Sequence, residues 1–189
     1  MTAQPGPVPV RRARTISVML GVAAIVVIAD AVSKALARRD LPGRPPVRLL
    51  DGLLTLKLTL NPGAAFGVGT SYTAIIALIA CGVVVYVIRI GARLRNLAWT
   101  IGLGLLLGGA AGNLADRLFR APGPFRGSVV DWLNLPHFAW TFNLADAAVT
   151  CAAVLIGILT LRGVRIDGTS SAGAVRGERV TGLHRRHPG

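Results

Sequence analysis

Four apolar runs, separated by blocks of charge, set the rhythm of this sequence. No charged residue interrupts the stretch from Thr15 to Ala29, and apolar character continues past Asp30 and Lys34 to Ala37. The second run, "SYTAIIALIACGVVVYVI", covers 71–88, and the third, "NLAWTIGLGLLLGGAAGNLA", covers 96–115. The fourth, "AAVTCAAVLIGILTL", covers 147–161. A bilayer-spanning helix needs roughly 20 mostly apolar residues, and each run reaches that length once its flanks are counted. The pattern therefore predicts four transmembrane helices. The first run, preceded by Arg11, Arg12 and Arg14, mimics a cleavable signal peptide. It is long for such a segment and carries Asp30 and Lys34 near its end, which favours a span.

Between the runs the period changes. In "RLLDGLLTLKLTL" (48–60), Leu54, Leu56, Leu58 and Leu60 alternate with Thr55, Lys57 and Thr59, the period of a strand. Asp51-Gly52 just before it is a hairpin-turn signal, and "NPGAAFGVG" at 61–69 reads as a loop. The segment 117–141 carries Trp132, Phe138 and Trp140, residues suited to a membrane interface. The expected fold is an all-α polytopic membrane protein, its outer helix ends covered by a short sheet and an interfacial segment. Gly104, Gly108 and Gly112, at four-residue intervals, mark a face of the third span that another helix can approach closely.

Charge sets the expected orientation. With the N-terminus cytoplasmic, twelve of the 21 Lys and Arg residues fall on cytoplasmic segments and eight on the outer ones, a modest positive-inside bias. Residues 1–14 and 163–189 read as disordered cytoplasmic tails flanking one domain, 15–162. The net charge of +13 suits contact with anionic lipid headgroups. Nucleic-acid binding is not expected, because no aromatic pattern or motif accompanies the charge. Cys81 and Cys151 both lie in apolar runs, where thiols pack rather than form a disulfide framework.

Only eight carboxylates occur in the chain, and Asp30, Asp116, Asp131 and Asp146 all fall at the outer boundary of the spans. Ionisable groups at membrane depth are costly and point to function. The tetrapeptide NLAD occurs twice, at 113–116 and 143–146, in opposite senses. At 143–146 it opens a helix: Asn143 is a cap and Asp146 the third residue, facing free N–H groups. At 113–116 it closes one, where an anion meets the negative dipole end and needs compensation; Arg117 stands next to it. The histidines, His137, His184 and His187, show no ligand spacing with cysteine, so neither metal nor cofactor is expected. Paired carboxylates sharing a proton remain, able to activate water and protonate a leaving group. The echo suggests pairing Asp116 with Asp146, but the apolar flanks of Asp131, in "GSVVDWLNL", favour a protonated acid. Asp131 as acid and Asp146 as base is the preferred pair. Within ~4 Å, two charged carboxylates repel by about 4 kcal/mol at an effective dielectric near 20.

Together "IADAVSK" (28–34), "NPGAAFG" (61–67), "GNLADR" (112–117), "VVDW" (129–132) and "FNLADAAV" (142–149) resemble the lipoprotein signal peptidase family, signal peptidase II. The resemblance runs in order over about 15–162. It departs at Pro62, after the loop Asn, and at Gly67, where many members have serine. It implies an intramembrane aspartic peptidase with four transmembrane helices, a small extracytoplasmic β-cradle and an interfacial helix. The catalytic pair would be Asp131 and Asp146. Asn61, Gly112, Asn113, Arg117 and Asn143 would line or orient the site, supported by Asp30, Lys34 and Asp116. Arg117 would hold a substrate carbonyl, with Asp116 fixing its side chain. The implied substrates are diacylglyceryl-modified prolipoproteins, reached among membrane lipids, with no obligate protein partner. The rival reading is a small transporter or a proton or ion relay using the boundary Asp residues, although the NLAD echo is not accompanied by a longer repeat.

Overall fold

The computed structural model describes residues 10–63, 73–136 and 140–167. The expectations for the outer parts of both tails, for most of the 61–69 loop and for His137, Phe138, His184 and His187 lie outside the described residues. Four helices correspond to the four apolar runs: α1 (Val10–Asp40), α2 (Thr73–Gly91), α3 (Leu97–Phe119) and α4 (Leu144–Leu161). Helix α1 starts inside the stretch expected to be tail. All four are long and apolar enough to cross a membrane. Their outward faces carry exposed aliphatic side chains such as Ile25, Ile28, Leu78, Ile79 and Val154, a surface that is stable only against lipid. This is a multi-pass membrane protein.

Helix α3 is the central element: 56% of its spanning window is buried, against 17–22% in the other three. Glycine makes that possible. A Cβ on Gly104 or Gly108 would lie within 3 Å of α1 atoms, including the carbonyl oxygens of Met19 and Ala23. One on Gly109 would lie 2.5 Å from the Ala145 carbonyl of α4. The expected glycine face is thus the α1 contact, and an additional glycine serves α4. Away from the sheet, Met19, Ala23, Val87, Leu94, Leu103 and Leu107 form a hydrophobic core.

Two connections meet at the other end of the bundle, those from α1 to α2 and from α3 to α4. They build one antiparallel sheet of four strands in the order β1-β2-β3-β4. The strands are β1 (Val47–Leu49), β2 (Leu54–Asn61), β3 (Val129–Asn134) and β4 (Thr141–Phe142). The Asp51-Gly52 signal marks the turn between β1 and β2, one turn of 3-10 helix with Leu50, Asp51 and Gly52 at positive φ. Among the described residues there is no interfacial helix. The segment expected to lie along the interface instead supplies β3 and β4, because β-branched Val129 and Val130 pair with Asn61 and Leu60 of β2.

The β2 alternation is interrupted once. Leu56 pairs with Leu133 but Thr59 pairs with Asp131, so β2 carries one extra residue, a bulge. A one-residue insertion exchanges the faces of a strand. Beyond it, Thr59 and Asn61 share the face of Asp131. Strict alternation from Leu56 would have put Leu58 and Leu60 there.

Candidate active site

The buried polar residues gather at the sheet end. Asp30, Lys34, Asp116, Arg117, Asp131 and Asn143 are each at most 8% exposed. Asp131 lies on β3, beside β2. One carboxylate oxygen accepts from Asn61 Nδ2 at 3.1 Å and the other from Asn143 Nδ2 at 2.7 Å. Asp146 is the third residue of α4 and completes the expected cap. Asn143 Oδ1 accepts from the Asp146 amide at 2.9 Å, while the Asn143 amide donates to Asp146 Oδ2 at 3.2 Å. Asn113 of α3 donates to Asp146 Oδ1 at 2.7 Å and accepts from Asn143 Nδ2 at 3.1 Å. Asn143 therefore binds the Asp131 carboxylate with its nitrogen and the Asp146 backbone with its oxygen. The two acids, fifteen residues apart in sequence, meet at one amide.

Burial pushes the Asp131 carboxyl up to about 6, and the negative charge of Asp146 adds to that. Hydrogen bonds from Asn61 and Asn143 and the charge of Lys34 act in the opposite direction. Asp131 is thus close to half-protonated in mildly acidic surroundings.

A second polar layer lies beneath. Lys34 Nζ is 2.6 Å from Asp30 and 2.9 Å from Asp116, and donates to Asn113 Oδ1 at 3.1 Å. Asp116 also pairs with Arg120, one helical turn on. The expected Asp116–Arg117 pair does not form. Neighbours on a helix point about 100° apart, whereas residues at i and i+4 share a face. Arg117 is directed instead toward the site, within electrostatic range of Asp146 and Asp131 ahead of Asp116. Its Nη1 donates to the Asn113 carbonyl at 3.3 Å, and its Nε is buried without a partner among the described residues. Gly112 contributes space: a Cβ there would lie 2.7 Å from Asp30 Oδ2. Arg120 was missed in the sequence, although its four-residue spacing from Asp116 was a usable signal. Every other expected site residue lies in one of these two layers. A cavity of about 290 Å³ between α1 and α3 borders the lower layer at Asp30, Lys34, Asp116 and Arg120, but neither Asp131 nor Asp146 lines it.

Fold and site together define a polytopic membrane protein with two carboxylates joined at one end of its helix bundle. The family model described as signal peptidase (SPase) II matches residues 22–162. The lipoprotein signal peptidase of Streptomyces griseus subsp. griseus is 46% identical over 159 residues, covering 84% of this chain and 81% of that protein. That of Rhodococcus jostii is 46% identical over 169 residues, covering 89% and 83%. That of Mycobacterium tuberculosis is 45% identical over 161 residues, covering 85% and 78%. A solved structure of a bacterial membrane enzyme superposes with a TM-score of 0.66 at 26% identity, covering 76% of this chain and 92% of that one. The chain belongs to the signal peptidase II family, membrane peptidases of lipoprotein processing.

Proposed function

We propose that this protein is an aspartic endopeptidase that removes signal peptides from prolipoproteins, hydrolysing the bond before a diacylglyceryl-modified cysteine. The observation that carries the aspartic mechanism is the junction at Asn143, where hydrogen bonds reach the Asp131 carboxylate and the Asp146 cap. Asp146, ionised, takes a proton from a water molecule, whose oxygen attacks the scissile carbonyl. Asp131, protonated, gives its proton to the carbonyl oxygen as the water oxygen attacks. When the resulting gem-diol collapses, Asp131 takes a hydroxyl proton back and Asp146 passes the proton it took from water to the leaving amine. The C–N bond breaks to give a carboxylate on the signal peptide and a free amine on the lipidated cysteine. As the two titrations are coupled, the proton belongs to the pair. Arg117, with its unpartnered Nε, is suited to hold a substrate carbonyl. The apolar signal peptide lies among the spans and the acyl chains stay in lipid, which keeps the scissile bond at the interface where water reaches the acids.

The test is cleavage of a lipidated precursor peptide by purified protein in detergent, with chelator present. Asp131→Asn and Asp146→Asn should each lower turnover by roughly 10²- to 10⁴-fold or more while the protein stays folded. Near-normal turnover by either variant sinks the dyad and leaves the relay or transporter reading. Asp116→Asn should chiefly lower folded yield, because it removes the carboxylate paired with Arg120 and one of the two paired with Lys34. Complete loss of turnover at normal yield would instead point to Asp116 as a member of the pair.

A further inference from the structure

The lower polar layer reaches both acids of the proposed dyad through the backbone. Asp30 Oδ1 accepts from the amide of Ala145, the residue before Asp146, at 3.0 Å. Asp116 Oδ2 accepts from the amide of Val130, the residue before Asp131, at 3.2 Å. Lys34 joins those two carboxylates, and its third contact is Asn113 Oδ1. That contact has a direction. Lysine can only donate, so the oxygen of the Asn113 amide must face it. The nitrogen must then face Asp146, where it donates at 2.7 Å. A reversed amide would point N–H at the ammonium and oxygen at a carboxylate, two repulsive contacts in a buried site. The same oxygen accepts from Asn143 Nδ2, which also donates to Asp131.

We infer that Lys34 is the positioning hub of the dyad. Through Asp30 and Asp116 it sets the spacing of the two acids, and through Asn113 it sets the direction of the hydrogen bond that Asp146 receives. This rests on the proposed aspartic mechanism. Lys34 touches neither acid's side chain by hydrogen bond; beyond its charge, which Asp131 feels at a distance, it acts through these three neighbours. Asp131 on β3 and Arg117 on α3 also lie within electrostatic range of Asp146. The single charged residue of α2, Arg89, lies in its last turn, at the far end of the bundle.

Three variants separate positioning from mere support: Asn113→Asp, Asn113→Ala and Lys34→Met. Each is read by folded yield, by kcat and KM separately, and by the pH dependence of kcat/KM on the lipidated precursor peptide. Asn113→Asp keeps an acceptor for Lys34 but removes the donor to Asp146. A lost hydrogen bond to a charged group corresponds to about one to two pH units. The acidic limb of the profile should therefore move up by about that amount, with kcat reduced at least ~10-fold and KM within about twofold. Asn113→Ala should move the same limb in the same direction without adding charge. Lys34→Met should add lower yield to that shift. If the Asn113 variants fold and keep the wild-type limb and kcat, the hub is wrong. Asp131→Asn and Asp146→Asn, assayed alongside, tell the two failures apart. Inactive dyad variants beside unaltered Asn113 variants overturn the hub alone, while active dyad variants overturn both readings.

Discussion

At the scale of single residues, Asp131 links chemistry to stability. Its carboxyl is raised from the ordinary 3.8 to about 6, so between those values the folded protein binds more protons than the unfolded chain. The sign follows from linkage. The stabilising contribution of protonated Asp131 is complete below the unfolded value and is lost as pH rises through about 6. Lowering the pH from 7 to 5 should therefore stabilise the wild-type protein relative to Asp131→Asn by about 1 kcal/mol, measured as thermal unfolding in detergent. Parallel pH dependences would show that Asp131 does not titrate in this range. A carboxyl held near half-protonation suits the acid of the proposed pair, which must carry a proton without surrendering it permanently.

At the scale of elements, the site depends on how closely α3 approaches its neighbours. Gly109 faces the carbonyl of Ala145, immediately before Asp146, and a Cβ there would also lie 2.7 Å from Val149. Gly109→Ala should separate α3 from α4 at the depth of the dyad, costing about 1–3 kcal/mol and most of the peptide-cleaving activity. Gly157→Ala is the control, since nothing lies within 4 Å of its added methyl. It should leave activity unchanged and, by helix propensity, stability unchanged or improved by up to about 1 kcal/mol. Equal loss in both variants would mean that close packing at Gly109 does not matter. The β2 bulge belongs to this scale too. It turns Asn61 toward Asp131, a geometry that the leucine alternation in the sequence pointed away from.

For the whole molecule, four spans put both ends of the domain on one side and the sheet on the other. The arginines at 89, 93 and 95 and Arg162 lie at the end away from the sheet, which favours a cytoplasmic location for that end. The expected topology is both termini cytoplasmic and the proposed active site near the extracytoplasmic face. In a background with Cys81 and Cys151 replaced by alanine, Asp51→Cys in the β1–β2 turn should react in intact cells with a membrane-impermeant maleimide. Arg95→Cys should react only after permeabilisation. The opposite pattern would invert the topology and place the dyad where no exported precursor could reach it. In the expected topology, the net charge would draw the basic ends of the chain to anionic headgroups.

The four helices, the strand at β2, its hairpin turn and the glycine face of α3 were legible in the sequence, because each is a local periodicity or a local backbone preference. So was the Asn143–Asp146 cap, which spans only one turn. The chemical choice of Asp131 over Asp116 as the partner of Asp146 could be argued from flanking residues, but contact between residues 15 apart could not. Three features needed the tertiary structure: the bulge that presents Asn61, the pairing of Asp116 with Lys34, and the Lys34 contacts that reach both acids. Sequence proximity suggested Arg117 for Asp116, whereas helical rotation turns it toward the site. Hydrophobic pattern determines which segments enter the membrane, since transfer energy sums along the chain. Which buried charges meet is decided by depth, rotation and strand register, and those are set only when the segments pack together.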